Sequence, residues 1–169
     1  MKKTILLILT FMIPLVLSAG HWELREDYTF WGNSPPYIRF INDDIGYLNS
    51  SSAVYKTIDG GDTWEIIFVA SSTIFALEII EEGTFWIGPN NGEIILVTDD
   101  GANYEVKYQG IGRFYDIRFR RNYGVAVGRY GQGIRTIDGG DSWETILNNG
   151  SCLNRQIRII HGHVLLVTG

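Results

Sequence analysis

The sequence is poor in cysteine, histidine and proline, with one, three and four residues of these types among 169. Cys152 is the only cysteine, so a disulfide within the chain is excluded, and no Cys/His pattern of a zinc site occurs. The 19 acidic residues outnumber the 14 basic ones. Nucleic-acid binding needs clustered positive charge, so a net acidic chain argues against a nucleic-acid partner. No sustained 3.6-residue apolar period follows residue 20, which argues against a helical fold.

Glycine and aromatic residues are plentiful. The chain has 20 glycines, and aromatic residues make up 13% of it. Glycine permits the positive φ angles of tight turns, and aromatic side chains favour strands. This composition predicts an all-β fold with many short hairpins.

The first twenty residues have the pattern of a secretory signal peptide. Lys2 and Lys3 form a basic start, residues 4–17 carry no charge, and residues 18–20 are small. The uncharged run is shorter than the roughly 20 apolar residues of a spanning helix, so an uncleaved anchor is the less favoured alternative. We therefore predict a signal peptide at 1–20 and a mature chain that is secreted or lies in the periplasm or cell envelope. Its 12 basic and 19 acidic residues would give a net charge of −7, with no membrane span.

A nine-residue motif occurs twice, at 57–65 and 136–144, and a shorter copy at 98–105 lies between them. Its key aspartates are taken to be Asp59, Asp100 and Asp138. The motif then recurs with a period of about 40 residues, which is typical of one four-stranded propeller blade.

Each motif has the chemistry of a fastened hairpin turn. Its glycines permit positive φ, its aspartate can accept backbone N–H bonds, and its aromatic residue starts the next strand. Calcium binding would need more converging oxygen ligands than the motif supplies, so we predict no metal and no cofactor. The predicted structural residues are Asp59, Gly61, Trp64, Asp100, Tyr104, Asp138, Gly140 and Trp143.

Residues 21–169 are predicted to form a partial β-propeller of four-stranded antiparallel blades. The complete blades are expected at about 36–71, 73–110 and 112–149, with a partial blade at 154–169. Propellers usually close with 4–8 blades, so this one is expected to be incomplete or open. We expect either a truncated gene product, which we favour, or a chain that self-associates with a second copy.

The segment 124–143 carries the most specific pattern, with Gly124 and Gly128 around a Val-Ala-Val strand and then the motif of Asp138 and Trp143. It resembles the photosystem II stability/assembly factor family and its bacterial relatives. That family is a subset of the Asp-box (BNR-repeat) propellers, which also include sialidases and sortilins. The resemblance implies a seven-bladed, exported, non-enzymatic protein, and true assembly factors bind a photosynthetic reaction-centre protein. This chain departs from the pattern in having about half the blades and a degenerate middle motif.

Two functions follow as hypotheses. The first is a non-catalytic exported scaffold for protein binding or complex assembly. The alternative is a glycan-binding or sialidase-like Asp-box protein, in which Tyr28, Trp31 and Tyr37 would stack on sugars instead of packing the N-terminal strand. The Arg-Ile-Pro element of sialidases does not occur in the sequence, so we do not expect an enzyme.

Arginine is concentrated in the third predicted blade, where six arginines between positions 113 and 135 accompany one acidic residue, Asp116. One hypothesis is a patch for an anionic partner, because the guanidinium fork suits carboxylates and phosphates. The alternative is that arginine stems pack on Tyr115, Tyr123 and Tyr130 at a solvated face. The six are Arg113, Arg118, Arg120, Arg121, Arg129 and Arg135.

Three arginines, Arg39, Arg118 and Arg158, match one another in the predicted first strands, with Ala76 assigned to that position in the second blade. First strands line a propeller channel. A ring of arginines that binds an anion is therefore a further hypothesis, and simple copying of the repeat explains the match equally well.

Overall fold

A computed structural model describes residues 37–148, 150, 154–160 and 163–168. The predicted signal peptide, Tyr28, Trp31 and Cys152 lie outside these residues. The described chain contains three four-stranded antiparallel sheets and one two-stranded sheet. The predicted all-β architecture of four-stranded antiparallel blades is thereby confirmed. Within this part of the chain, no helix is long and apolar enough to cross a membrane.

The three four-stranded sheets, called blades 1 to 3, follow one another along the chain. Blade 1 contains β1 (Ile38–Phe40), β2 (Gly46–Ser50), β3 (Ala53–Thr57) and β4 (Glu65–Val69). Blade 2 contains β5 (Ile74–Glu81), β6 (Thr84–Pro89), β7 (Glu93–Thr98) and β8 (Asn103–Gln109). Blade 3 contains β9 (Phe114–Arg120), β10 (Tyr123–Gly128), β11 (Gln132–Thr136) and β12 (Glu144–Asn148). The two-stranded sheet contains β13 (Asn154–Ile160) and β14 (His163–Thr168).

The strands of each blade pair in sequence order, so every blade is a simple meander. The third and fourth strands carry one register shift at the same place in all three blades. It lies at Val54/Tyr55, Ile94/Ile95 and Gly133/Ile134. A bulge increases the local twist of a sheet. The three blades therefore share this irregularity as well as their topology.

The apolar core lies between the blades. Tyr47 and Val54 of blade 1 pack with Ile79 and Phe85 of blade 2. At the next junction Trp86 stacks on Phe119, with ring centroids 4.8 Å apart and planes 13° apart. Full burial of one such side chain contributes about 1.5–3 kcal/mol. One unit of a repeat fold cannot bury its apolar face alone, so packing at these junctions stabilises each described blade.

A polar side chain of each blade also bonds to the backbone of the next blade's first strand. The donor and acceptor pairs are Asn49 Nδ2 to Ile74 O at 3.2 Å, Phe119 N to Glu78 Oε1 at 3.3 Å, and Ile157 N to Asp116 Oδ2 at 2.7 Å. We call these three contacts the junction bonds. Because they are buried or part-buried and pair main-chain groups that the sheets leave open, they fix how far each blade slides against its neighbour.

Candidate functional site

The turn between β3 and β4 is fastened by the carboxylate of Asp59. Its Oδ1 accepts hydrogen bonds from the Thr57 hydroxyl at 2.7 Å and from Thr63 N at 2.8 Å, and its Oδ2 accepts from the Thr63 hydroxyl at 2.6 Å. The Thr57 hydroxyl in turn accepts from Gly61 N at 2.9 Å. These bonds, first from the Thr63 side chain, lower the pKa of Asp59 to about 2. Both oxygens of the carboxylate are committed to the turn, which is a structural role.

The turn between β11 and β12 repeats this network. The Asp138 carboxylate accepts from the Thr136 hydroxyl at 2.6 Å and from Ser142 N at 3.0 Å, and Gly140 N donates to the Thr136 hydroxyl at 2.9 Å. Hydrogen bonds from Ser142 and then Thr136 lower the pKa of Asp138 below its ordinary range. Gly61 and Gly140 have φ of +100° and +102°, as the sequence chemistry requires.

In the middle turn, between β7 and β8, the structural roles of the two aspartates differ from the sequence prediction. Asp99 Oδ2 accepts from Asn103 Nδ2 at 2.6 Å, which is the same four-residue step as Asp59 to Thr63. The predicted residue, Asp100, accepts from Lys56 Nζ of blade 1 at 2.8 Å. Asp99 therefore fastens the turn, and Asp100 joins two blades. With Asp99 as the repeat position, the three turn aspartates are also more evenly spaced along the chain.

The aromatic residue that follows each turn packs against other rings, within blade 1 for Trp64 and across a junction for Tyr104 and Trp143. Trp64 meets Phe40 edge to face, with centroids 6.0 Å apart. Tyr104 meets Phe68 in the same way at 5.6 Å and remains largely exposed. Trp143 meets Trp86 at 6.0 Å and Phe119 at 5.8 Å, both edge to face. The three aromatics are packing residues.

The first strands of the three blades are joined by ion pairs that the sequence analysis did not predict. We call this set of ion pairs the charge ladder. Glu78 Oε2, in a side chain that is 5% exposed, accepts from Arg39 of blade 1 at 2.9 Å and from Arg118 of blade 3 at 2.8 Å. Arg118 also pairs with Asp116 at 3.2 Å. The hypothesis of an arginine ring therefore changes, because the blade 2 partner of these arginines is Glu78 and not Ala76. The even spacing of Arg39, Glu78 and Arg118, one blade apart at each step, was the available signal. The side chain of Arg158 lies outside the described part.

Tyr37 and Asp116 lie near this ladder. The Tyr37 hydroxyl donates to the Tyr115 carbonyl at 3.0 Å, which links blade 1 to blade 3. Burial, and next the charge of Asp116, raises the pKa of Tyr37. Burial also raises the pKa of Asp116, against its bond from Ile157 N and the charge of Arg118. Tyr37 therefore packs within the blades and is not presented to a sugar.

Three arginines of the blade 3 cluster contact aromatic rings or carboxylates. Arg113 lies over Phe75 at 4.4 Å and Tyr115 at 5.7 Å, and Arg129 lies over Tyr130 at 4.8 Å. Arg118 belongs to the ladder.

The remaining three arginines lie towards the other end of blade 3. Arg135 pairs with Glu144. Arg120 and Arg121 are exposed at the β9–β10 turn, and neither has an ion-pair partner among the described side chains. Of the six arginines in the predicted anionic-partner patch, these two are therefore the ones that we consider further for binding.

Two small concave sites lie beside fastened turns of the described chain. One of about 300 Å³ lies beside the first turn, lined by Lys56, Ile58, Thr63, Glu65, Ile67 and Asp100. Another of about 250 Å³ lies beside the third turn, lined by Arg135, Thr136, Ile137, Ser142, Trp143 and Glu144. Among the described residues, no three metal-ligating side chains come together.

No protein-family model matches the chain, and no curated protein matches it significantly. Solved structures do match its fold. An ancestral GH74 enzyme matches 72% of this chain with 19% of its own, at 19% identity and a TM-score of 0.60. YCF48 bound to D1 peptide matches 71% with 42% of its own chain, at 21% identity and a TM-score of 0.56. The computationally designed Ika8 protein matches 78% with 42% of its own chain, at 15% identity and a TM-score of 0.62.

The chain thus spans less than half the length of each of these proteins. At identities of 15–21%, these matches show a likeness of fold. One of the matched proteins is the photosystem II assembly factor YCF48, which agrees with the resemblance seen in the sequence. The three described four-stranded sheets are blades of a partial β-propeller.

Proposed function

We propose that this chain is a non-catalytic propeller scaffold that binds a protein partner. One observation carries the proposal: the carboxylates best placed for chemistry are already bound by the scaffold. Asp59 and Asp138 fasten their own turns, and Glu78 and Asp116 hold two arginines and two backbone N–H groups. A general acid or base needs a carboxyl group that is free to exchange a proton with a substrate.

The fold neighbours agree with a scaffold of this kind. YCF48 was solved with a D1 peptide bound, so a propeller of similar architecture presents a peptide-binding surface. The same comparison includes a GH74 enzyme, so the fold alone does not decide between binding and catalysis. The proposal for this chain therefore depends on the four carboxylates named above, which are already hydrogen-bonded within the scaffold.

The place of action follows from the predicted signal peptide. A secreted, periplasmic or envelope-located scaffold would meet exported proteins and assembling complexes. Arg120 and Arg121 are the members of the predicted anionic-partner patch that remain open to such a partner, because each of the other four arginines contacts a carboxylate or an aromatic ring of blade 2 or blade 3.

Two assays test the proposal against its rival, a glycan-active protein. The mature chain is incubated with a fluorogenic sialoside and with soluble β-glucans, and is also applied to a glycan array. In parallel, it is cross-linked to an envelope fraction of the host, and the captured proteins are identified by mass spectrometry. We expect no hydrolysis, no glycan signal and one reproducible protein partner. Hydrolysis, or glycan binding without a protein partner, would remove the scaffold function.

A further inference from the structure

Each blade ends in a row of three neighbouring side chains beside its fastened turn, which we call the terminal row. In blade 3 the row begins with Arg120 on β9, which pairs with Tyr123 on β10. The next residue, Gly124, pairs with Thr136, and extending this register by one residue places Tyr123 opposite Ile137, directly after β11. Directly opposite residues of antiparallel strands present their side chains to the same face. Arg120, Tyr123 and Ile137 therefore form one continuous strip.

One backbone hydrogen bond recurs beside this row in all three blades. In each blade, an N–H of the fastened turn donates to a carbonyl of the first hairpin. The bonds are Gly60 N to Asp44 O at 2.8 Å, Asp100 N to Gly83 O at 3.1 Å, and Gly139 N to Asn122 O at 2.8 Å. The first hairpin itself varies, with one more turn residue in blade 1 and a register shift at Ile79/Glu81 in blade 2. The rows therefore occupy corresponding places in the three blades and differ in side-chain chemistry.

Side-chain chemistry differs sharply between the rows, even though the intact fastening residues are the same. Thr57 and Asp59 of blade 1 have identical counterparts in Thr136 and Asp138 of blade 3. The rows read Ile41, Ile45 and Ile58 in blade 1, Glu81, Thr84 and Thr98 in blade 2, and Arg120, Tyr123 and Ile137 in blade 3. All three positions of the blade 3 row are exposed, whereas Ile45, Thr84 and Thr98 of the other rows are half-buried. Exposed residues at the ends of a rigid sheet are well placed for binding.

The charge of the adjoining turn is negative in blades 1 and 2 and positive in blade 3. Blade 1 has the exposed pair Asp43 and Asp44, and blade 2 has Glu81 and Glu82. The equivalent turn of blade 3 instead has Arg120 and Arg121. Like charges repel and opposite charges attract over the roughly 8 Å Debye length of physiological salt. An anionic ligand would therefore be repelled at the first two corners and attracted at the third.

The third row also offers apolar area next to this charge. Tyr123 is 67% exposed and Ile137 is 61% exposed. Aromatic and arginine side chains dominate the energetics of protein interfaces, because they combine contact area with directed hydrogen bonds. A ligand that has charge alone would leave these two side chains uncovered.

We propose that the terminal row of blade 3, with Arg121, docks a segment of the protein partner that carries paired carboxylates beside a large apolar side chain. The guanidinium groups bind the carboxylates, and Tyr123 and Ile137 cover the apolar side chain. The acidic corners of blades 1 and 2 restrict the segment to blade 3. This inference rests on the proposed scaffold function and specifies the chemistry of its partner.

A labelled peptide, Asp-Asp-Phe-Asp-Asp, tests the docking by fluorescence anisotropy at low salt, with Lys-Lys-Phe-Lys-Lys as the charge control. We expect the acidic peptide to bind and the basic peptide to fail. R120E/R121E should weaken binding at least tenfold. R113E/R129E makes the same change of net charge at the other end of the blade, and it should leave binding within about twofold. Far-UV circular dichroism checks that both variants are folded.

The apolar part of the site is tested separately. Y123S/I137S should weaken the acidic peptide several-fold, down to the level at which the wild-type protein binds Asp-Asp-Ser-Asp-Asp. E81R/E82R adds the charge of the third corner to blade 2 and should raise the number of bound acidic peptides. Equal binding by wild type and R120E/R121E, or equal loss in R113E/R129E, would overturn the inference.

The two proposals fail in different ways. If cross-linking captures a partner equally well with wild type and R120E/R121E, the docking site is wrong and the scaffold function stands. If the peptide binds at the row but no protein is captured and a glycan is hydrolysed, the scaffold function is wrong and the surface remains a peptide site.

Discussion

Glu78 and Arg118 belong to neighbouring blades, yet their side chains meet at 2.8 Å inside the inner edge of the sheets. The same Glu78 oxygen also accepts from Arg39, while the other oxygen accepts from Phe119 N. One buried carboxylate therefore joins blade 2 to both of its neighbours.

Glu78→Gln should lower the free energy of unfolding by about 1–3 kcal/mol, the usual loss when a buried hydrogen-bonded charge is neutralised. Urea denaturation followed by circular dichroism measures it. Glu82→Gln, which changes an exposed ion pair with Lys56, is the matched control and should stay within about 0.5 kcal/mol. Equal effects of the two substitutions would contradict the role of Glu78.

Gly140→Ala should destabilise the protein more than Gly61→Ala, although both glycines have nearly the same φ. A Cβ at Gly140 would overlap the ring of Trp86, whereas a Cβ at Gly61 meets its nearest atom, in Phe40, at 3.6 Å. Overpacking of this kind costs about 1–3 kcal/mol beyond the shared backbone strain. Thermal unfolding of the two variants gives the difference, and equal midpoints would show that Trp86 moves aside freely.

The fastened turns should make stability depend on acid pH. The pKa of Asp59 is held at about 2, below its ordinary value of 3.8. Its contribution is therefore complete above the ordinary value and is lost as the pH falls towards the lowered one. Asp138 is lowered by the same kind of bonds and adds to the effect. The double variant D59N/D138N should lose less stability than wild type between pH 4 and pH 2. Parallel pH profiles, measured by urea midpoints, would contradict this assignment.

In the middle turn, Asp99→Ala and Asp100→Ala should act on different parts of the molecule. Although burial opposes it, the hydrogen bonds that Lys56 donates to Asp100 and Glu82 raise its pKa, which shows how closely Asp100 is tied to blade 1. Asp100→Ala and Lys56→Met should therefore be coupled in a double-mutant cycle, by about 0.5–1 kcal/mol. Asp99→Ala should be additive with Lys56→Met, and coupling in that pair would contradict the assignment.

The repeat was sufficient to predict the blades, because turn chemistry is local. Thr57, Asp59 and Gly61 lie close together in the sequence, and their bonds close within the same turn. The choice between Asp99 and Asp100 was beyond the sequence, since it depends on Lys56, which belongs to another blade. The slightly more even spacing obtained with Asp99 favours it as the turn residue, but the contact of Asp100 with Lys56 appears only in the fold.

The arginine cluster shows the same limit more clearly. Composition identified the excess of positive charge in blade 3, but a partner in the neighbouring blade decides whether an arginine is free. Arg118 is neutralised by Glu78, and Arg113 is covered by Phe75. Arg120 and Arg121 differ from them only in their place at the end of the strand.

The junction bonds have a consequence for how the molecule is built. Each bond joins a side chain of one blade to the main chain of the first strand of the next. The side chains of one blade therefore help to position the strand that follows. Asn49 does this for β5, Glu78 for β9 and Asp116 for β13. The later blade contributes main-chain groups to these three bonds, and at the second junction Arg118 adds a side-chain bond to Glu78. A side-chain substitution at Asn49, Glu78 or Asp116 would therefore remove a junction bond, whereas most substitutions at Ile74, Phe119 or Ile157 would leave its main-chain partner in place.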